Sequence, residues 1–97
     1  MVEITTIQNI AEFLRFLGNE QRLNILKTIS KEEKFAREIS EELGVSRPLV
    51  NIYLKQFEKA GLARGINRVS EEPPYLRRYY MAIPFELVVN LDVINNL

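Results

Sequence analysis

EISEELGVSRPLVNIYLKQFEKAG, residues 38 to 61, carries three helix boundaries in close succession. Gly44 can take the left-handed conformation by which a chain leaves a helix, and Val45 then turns it inward. Ser46 is suited to cap the next helix. Arg47 and Pro48 fall in its first turn, where a missing amide donor costs nothing. The spacing predicts a helix running on to Ala60, with Gly61 ending it. Leu49, Val50, Leu54 and Phe57 recur at three or four residues and read as the core face. Arg47, Asn51, Lys55 and Lys59 are left on the outside as a polar, basic stripe.

Upstream, Thr5 to Leu17 reads as a helix with Thr5 or Thr6 as its cap and Ile7, Ile10, Ala11, Leu14 and Leu17 inward. Phe13 and Phe16 lie off that stripe and imply a second packing partner. Gly18 and Asn19 end this helix. Glu20 to Ser30 forms the next, with Leu23, Ile25, Leu26 and Ile29 inward. Lys31 to Lys34 is a charged connector, and a third helix spans about Arg37 to Leu43. Downstream, Leu62 to Val69 and Leu76 to Ile83 read as the two strands of a hairpin whose tip, Ser70 to Tyr75, contains Pro73 and Pro74. Pro84 can open a last helix from Phe85 to Asn96, with apolar residues around its whole circumference. A domain this small cannot bury them all, so the expected solution is a homodimer. Its interface would use Ile7, Ile10 and Phe13 from the first helix and Leu87, Val88, Leu91 and Ile94 from the last.

The 97 residues fit one domain, residues 1–97, and 46% hydrophobic with 27% charged content suits a folded, well-solvated chain. The longest mainly apolar stretch, Phe85 to Leu97, is interrupted by Glu86, Asn90 and Asp92 and is too short for a bilayer. Met1 leads directly to Glu3 and a polar segment unlike a signal peptide, so a cytoplasmic location is expected. With neither cysteine nor histidine, disulfides, thiolate or imidazole metal ligands and Ser-His or Cys-His nucleophiles are excluded. Glu32-Glu33, Glu41-Glu42 and Glu71-Glu72 are neighbours in sequence with no evident cleft, and no phosphate-binding glycine loop is present. An enzyme is therefore not expected. Net charge is zero, yet from Ser46 to Val69 five basic residues face Glu58 alone, a local charge of +4.

Two short helices, a turn at Gly44, a capped third element and a hairpin follow the order of a helix-turn-helix with a wing. The expected fold is mainly α with a small β-hairpin (α+β), about five helices plus a two-stranded wing. Such a helix fits the major groove of B-DNA, where its first turns reach base edges and its cap and cations hold phosphates. The expected partner is double-stranded DNA, with recognition helix 46–60 in the major groove and wing 62–83 near the backbone. Ser46, Arg47 and Pro48 stand at the entrance. Asn51 suits adenine, Arg47 guanine or phosphate, and Lys55 either of the latter. On the strand shanks Arg64, Arg68, Arg77 and Arg78 are phosphate candidates. Strand alternation makes about two of them contacts and leaves the others to pair with Glu58, Glu71 or Glu72. The acidic tip itself is repelled by phosphate. A module that docks on protein instead of DNA is the alternative that the neutral net charge and acidic tip allow.

Leu17-Gly-Asn-Glu-Gln-Arg22-Leu-Asn-Ile-Leu26, Glu38-Ile-Ser-Glu-Glu-Leu-Gly-Val-Ser46, Lys59-Ala-Gly-Leu-Ala63 and Arg78-Tyr-Tyr-Met81 together resemble the arsenical-repressor (ArsR) family of winged-helix regulators. The likeness spans roughly Phe13 to Met81. It implies a transcription regulator, repressor-like, dimeric through its first and last helices. Metal sensors of that family place cysteines near Phe35, Ala36 and Arg37, or His and Asp in the last helix. This chain lacks those cysteines and has no His, so no metal or cofactor is expected, and no effector is named by the residues. Ile52 and Tyr53 replace residues that are often polar, basic or histidine in relatives, so base preference is not transferable. Arg22 reads as a structural ion-pair partner rather than a contact.

Overall fold

The computed structural model describes residues 5–97. In chain order it contains α1 (Ile7–Leu17), α2 (Glu20–Lys31), β1 (Lys34–Phe35), α3 (Ala36–Leu43), α4 (Arg47–Lys59), β2 (Ala63–Val69), β3 (Leu76–Ala82) and α5 (Leu91–Asn95). The expectation drawn from Met1 to Glu3 lies outside the described residues. The architecture is that of a winged helix-turn-helix: helices packed on a small antiparallel sheet of order β1-β3-β2.

Local chemistry sets the helix ends. Side chains of Thr6, Asn19, Ser46 and Asn90 accept hydrogen bonds from the backbone amides of Asn9, Arg22, Leu49 and Val93, each occupying one of the first-turn donors that a helix leaves unpaired. α3 ends at Gly44, with φ of 67° and its amide donating to the Ser40 carbonyl. The Ser40 hydroxyl donates to the Val45 carbonyl at 2.6 Å, closing the turn before α4. A Cβ on Gly44 would meet nothing within 4 Å, so only the backbone resists substitution there. Gly44→Ala is therefore expected to cost about 1 kcal/mol, read as a melting temperature lower by about 4–8 °C.

One core joins α2, α3, α4 and the sheet. Ile25, Leu26 and Ile29 of α2 meet Ile39 of α3, Val50, Tyr53, Leu54 and Phe57 of α4, and Leu62, Ala63 and Tyr80 from the hairpin. No polar or charged residue is buried with them among the described residues. The inward face of α1 is rotated from the expected one: Ile10 and Leu17 are inward as expected and are joined by Phe13 and Phe16, whereas Ile7, Ala11 and Leu14 are exposed. The cause is a pair of large rings: Phe16 sits edge-on to the fully buried Phe57 at 5.6 Å, an arrangement aromatic quadrupoles favour. Leu23 likewise points out, 49% exposed, because Ile25, Leu26 and Ile29 already supply the inward face of α2.

The two-stranded wing is present as β2 and β3, and a third strand not expected from the sequence joins it: Lys34 and Phe35, at the end of the charged connector, pair with Tyr80 and Tyr79. One further expectation is corrected. The chain after Ala82 is not one helix from Phe85 to Asn96. It stays irregular to Asn90, and only Leu91–Asn95 is helical. Val88 and Val89 are β-branched and stiff in a helix, and a segment of this length does not sustain a helix without a packing partner. Asn90 supplies the cap that starts the short helix instead.

Candidate nucleic-acid interface

α4 presents the stripe that its sequence spacing requires. Val50, Tyr53, Leu54 and Phe57 are buried, and Ser46, Arg47, Pro48, Asn51, Lys55 and Lys59 are exposed. Ile52, 51% exposed, lies beside them. No carboxylate comes within 4 Å of the cations Arg47, Lys55 or Lys59 among the described residues. The same face therefore offers one amide side chain and unneutralised positive charge along the outer side of one rigid helix.

The four wing arginines divide by their partners. Arg68 makes a two-pronged contact with the Glu33 carboxylate, at 2.7 Å from Nε and 3.0 Å from an amino nitrogen. That carboxylate holds the guanidinium pKa above its ordinary value. Arg78 is bound to Glu58 of α4 and donates to Asn67 at 3.0 Å; the Glu58 hydrogen bond raises its pKa. Arg77 donates to the backbone carbonyls of Pro74 at 3.2 Å and Pro73 at 3.3 Å, so it folds the tip onto its own strand. Its guanidinium also lies 4.6 Å from the Phe35 ring centre. Arg64 is exposed and makes no ion pair among the described residues.

The Arg78–Glu58 contact ties the wing to α4, and Gly65 makes room for it. Gly65 is opposite Tyr80 in the β2–β3 register, and a Cβ there would fall 2.5 Å from the Arg78 guanidinium. The obstructed atoms are the end of a flexible side chain, which can move. Gly65→Ala is thus expected to leave the fold intact but displace Arg78 from Glu58. Glu58→Gln should then destabilise the wild-type protein more than it destabilises the Gly65→Ala background, as urea titration of the four proteins in this cycle would read.

Arg22 holds a structural position without a carboxylate. Its guanidinium lies 4.7 Å from the Phe16 ring centre and 5.1 Å from that of Tyr53. It donates to the Phe16 carbonyl at 3.0 Å and to Gln56 at 3.2 Å. The expected ion pair is replaced by aromatic faces and neutral acceptors, which bind α1, α2 and α4 together. The Tyr53 hydroxyl extends this joint by donating to Gln21 at 3.1 Å.

α4 and the wing enclose a cleft of about 420 Å³. β1 covers β3 only at Tyr79 and Tyr80, so the edge of residues 76 to 78 is open on that side. Arg47, Asn51 and Lys55 form one wall, and Arg77 and Arg78 the other. Arg64 and Arg68 do not line it. Arg37 does, and it was not among the residues singled out from sequence. A signal for it existed: it sits in the first turn of α3, where a cation opposes the helix dipole and has no local reason to be.

The residues expected at a subunit interface are dispersed between the core and the surface. Ile10 is 5% exposed, already used in the packing of its own chain. Phe13 is half-buried and lies edge-on to Phe85 at 5.9 Å, which fixes the chain after β3 against α1. Leu87 is half-buried, and Ile7, Val88, Leu91 and Ile94 are exposed at 50%, 53%, 74% and 39%. No helix among the described residues is long and apolar enough to cross a membrane, and no group of three or more Asp or Glu residues there could hold a metal ion.

Comparison with known proteins agrees with this geometry. The profile of bacterial regulatory proteins of the arsR family matches residues 19–64, which run from the cap of α2 to the start of β2. The chain is 31% identical over 81 residues to an uncharacterized HTH-type transcriptional regulator of Methanocaldococcus jannaschii, covering 84% of this chain and 83% of that one. Its fold is similar to the solution structure of a homodimeric winged helix-turn-helix DNA-binding domain from Mycobacterium bovis, with a TM-score of 0.60, 21% identity, and 84% and 75% of the two chains covered. With the turn at Gly44, the capped α4 and the wing all in place, the chain belongs to the arsR family of winged helix-turn-helix transcription regulators.

Proposed function

We propose that this regulator binds double-stranded DNA sequence-specifically as a homodimer, each chain acting as a single domain in the cytoplasm. α4 enters the major groove, and the wing lies near the backbone. The observation that carries the reading is the outer face of α4, where Arg47, Asn51 and Lys55 stand exposed on a helix whose other face is locked in the core. Asn51 pairs with an adenine edge, and Arg47 with guanine or phosphate. Ser46 and Pro48 set the helix entrance, while Lys55 and Arg64 neutralise phosphates. Arg68, Arg77 and Arg78 reach phosphates only by leaving their present partners, so their part is to hold the wing in position.

The dimer reading rests on apolar area left uncovered by one chain. Ile7, Val88, Leu91 and Ile94 are exposed, and Phe13 with Phe85 joins α1 to the carboxy-terminal segment that carries most of them. Burying such a surface in a symmetric contact recovers about 25 cal/mol for each Å² removed from water. It would also give the segment after Asn90 the packing partner it lacks. The Mycobacterium bovis domain of the same fold is described as homodimeric.

The test is a selection from random duplexes together with a measurement of solution mass. The expected result is an enriched pseudo-palindromic site, a mass of two chains, and a log-log salt slope of about −4 to −7, as for four to eight neutralised phosphates. Enrichment of no sequence, or an affinity unchanged between low and moderate salt, would sink the reading.

A further inference from the structure

The cleft between α4 and the wing has two halves of opposite character. Its lining includes Arg37, Arg47, Arg77 and Lys55, none with a carboxylate within 4 Å among the described residues. Arg78, the remaining cation there, is already paired with Glu58. The rest of the lining is mainly apolar: Phe35 and Tyr80 are buried, and Leu76, 66% exposed, and Pro74 lie open to water. Arg37 and Arg77 both lie over the Phe35 ring, at 5.3 Å and 4.6 Å, so part of the charged lining is held in place before anything binds.

A single phosphate would answer the charge and leave Leu76 and Pro74 wet. A neutral hydrocarbon would cover them but strip water from guanidinium groups that have no carboxylate partner, which is costly. One ligand chemistry satisfies both halves: an anionic head on an apolar body. The volume of about 420 Å³ is within the range of small-molecule sites.

We propose that this cleft binds a small hydrophobic carboxylic acid, and that its occupant and the DNA duplex exclude each other. The exclusion rests on the duplex reading above, since Arg47, Asn51 and Lys55 would serve both; the binding of the acid does not. The carboxylate lies among Arg37, Arg47 and Lys55, and its apolar body covers Leu76 and Pro74.

The probe for the test is 1-naphthoate, titrated into the isotopically labelled full chain without DNA and followed by amide chemical shifts. Neutral 1-naphthalenemethanol and inorganic phosphate are the controls. Naphthoate is expected to move amides in residues 35 to 37 and 76 to 78, and each control to bind about tenfold more weakly. Leu76→Gln should weaken naphthoate about 3- to 10-fold, through lost apolar cover, yet keep duplex affinity within about twofold. Naphthoate should release duplex from the wild type at lower concentration than from Leu76→Gln. Shifts confined to α1 and residues 85 to 97, or an undiminished response in Leu76→Gln, would overturn the proposal. Duplex binding measured without naphthoate keeps the two readings apart. If duplex binds while the cleft amides stay still, only the ligand proposal fails; if cleft amides move but no duplex binds, the regulator reading fails and the exclusion with it.

Discussion

Replacing Arg47 and Asn51 together by alanine is expected to weaken binding to the selected duplex by on the order of 100-fold or more, and to flatten the preference among duplexes. Both side chains are exposed and neither supports the core, so their loss is a loss of contact rather than of structure. Alanine is a good helix former, and the Ser46 cap and Pro48 stay in place. Circular dichroism and the urea midpoint should therefore be nearly unchanged. Each two-pronged pair with a base edge discriminates by about 1–3 kcal/mol, which sets the size of the effect. Lys55→Ala makes the informative contrast. It should weaken all duplexes alike and lower the salt slope by about one per contact removed, because a phosphate contact carries no sequence information. A double variant that binds more weakly but ranks duplexes as the wild type does would assign base reading to other residues, with Ile52 the nearest exposed neighbour.

The parts of the fold visible in the sequence are those decided within a few residues. Ser46, Pro48, Gly44 and Gly61 act through their own backbone and first-turn chemistry, and both glycines do adopt positive φ, 67° and 78°. The outer stripe of α4 follows directly from the phase of Val50, Leu54 and Phe57. Elements that depend on distant partners were not visible. β1 is two residues long and exists only because β3 passes beside it. The inward face of α1 was ambiguous because apolar residues occupy more than one side, and Phe57 selects Phe16 over Leu14. At the site, the pairing of Arg78 with Glu58 was among the partners foreseen. That of Arg68 with Glu33 crosses 35 positions and is set by the lie of the hairpin against the segment before β1. Sequence spacing can rank arginines as candidates, but it cannot tell which have already found a carboxylate.

Phe57→Ala should be the most damaging single change to stability, lowering it by about 3–5 kcal/mol. The ring is completely buried and touches the amino-terminal helix through Phe16 as well as the central cluster, so truncation opens a cavity where α1 and α4 meet. Against the 5–15 kcal/mol typical of whole domains, roughly a fifth or more of the stability would go. Urea unfolding at fixed protein concentration is the measurement, because a dimer's midpoint moves with concentration. The midpoint should fall while the slope stays constant, since the area exposed on unfolding hardly changes. Phe57→Leu should restore much of the loss by refilling part of the volume. Leu91→Ala, on a side chain 74% exposed in the single chain, provides the opposite test. Its effect should grow as the protein is diluted if Leu91 lies between subunits, whereas the Phe57→Ala deficit comes from packing inside one chain and remains at every concentration. A Phe57→Ala protein as stable as the wild type would mean that α1 is not anchored through Phe16, and the joint of Arg22, Phe16 and Tyr53 would lose its structural role with it.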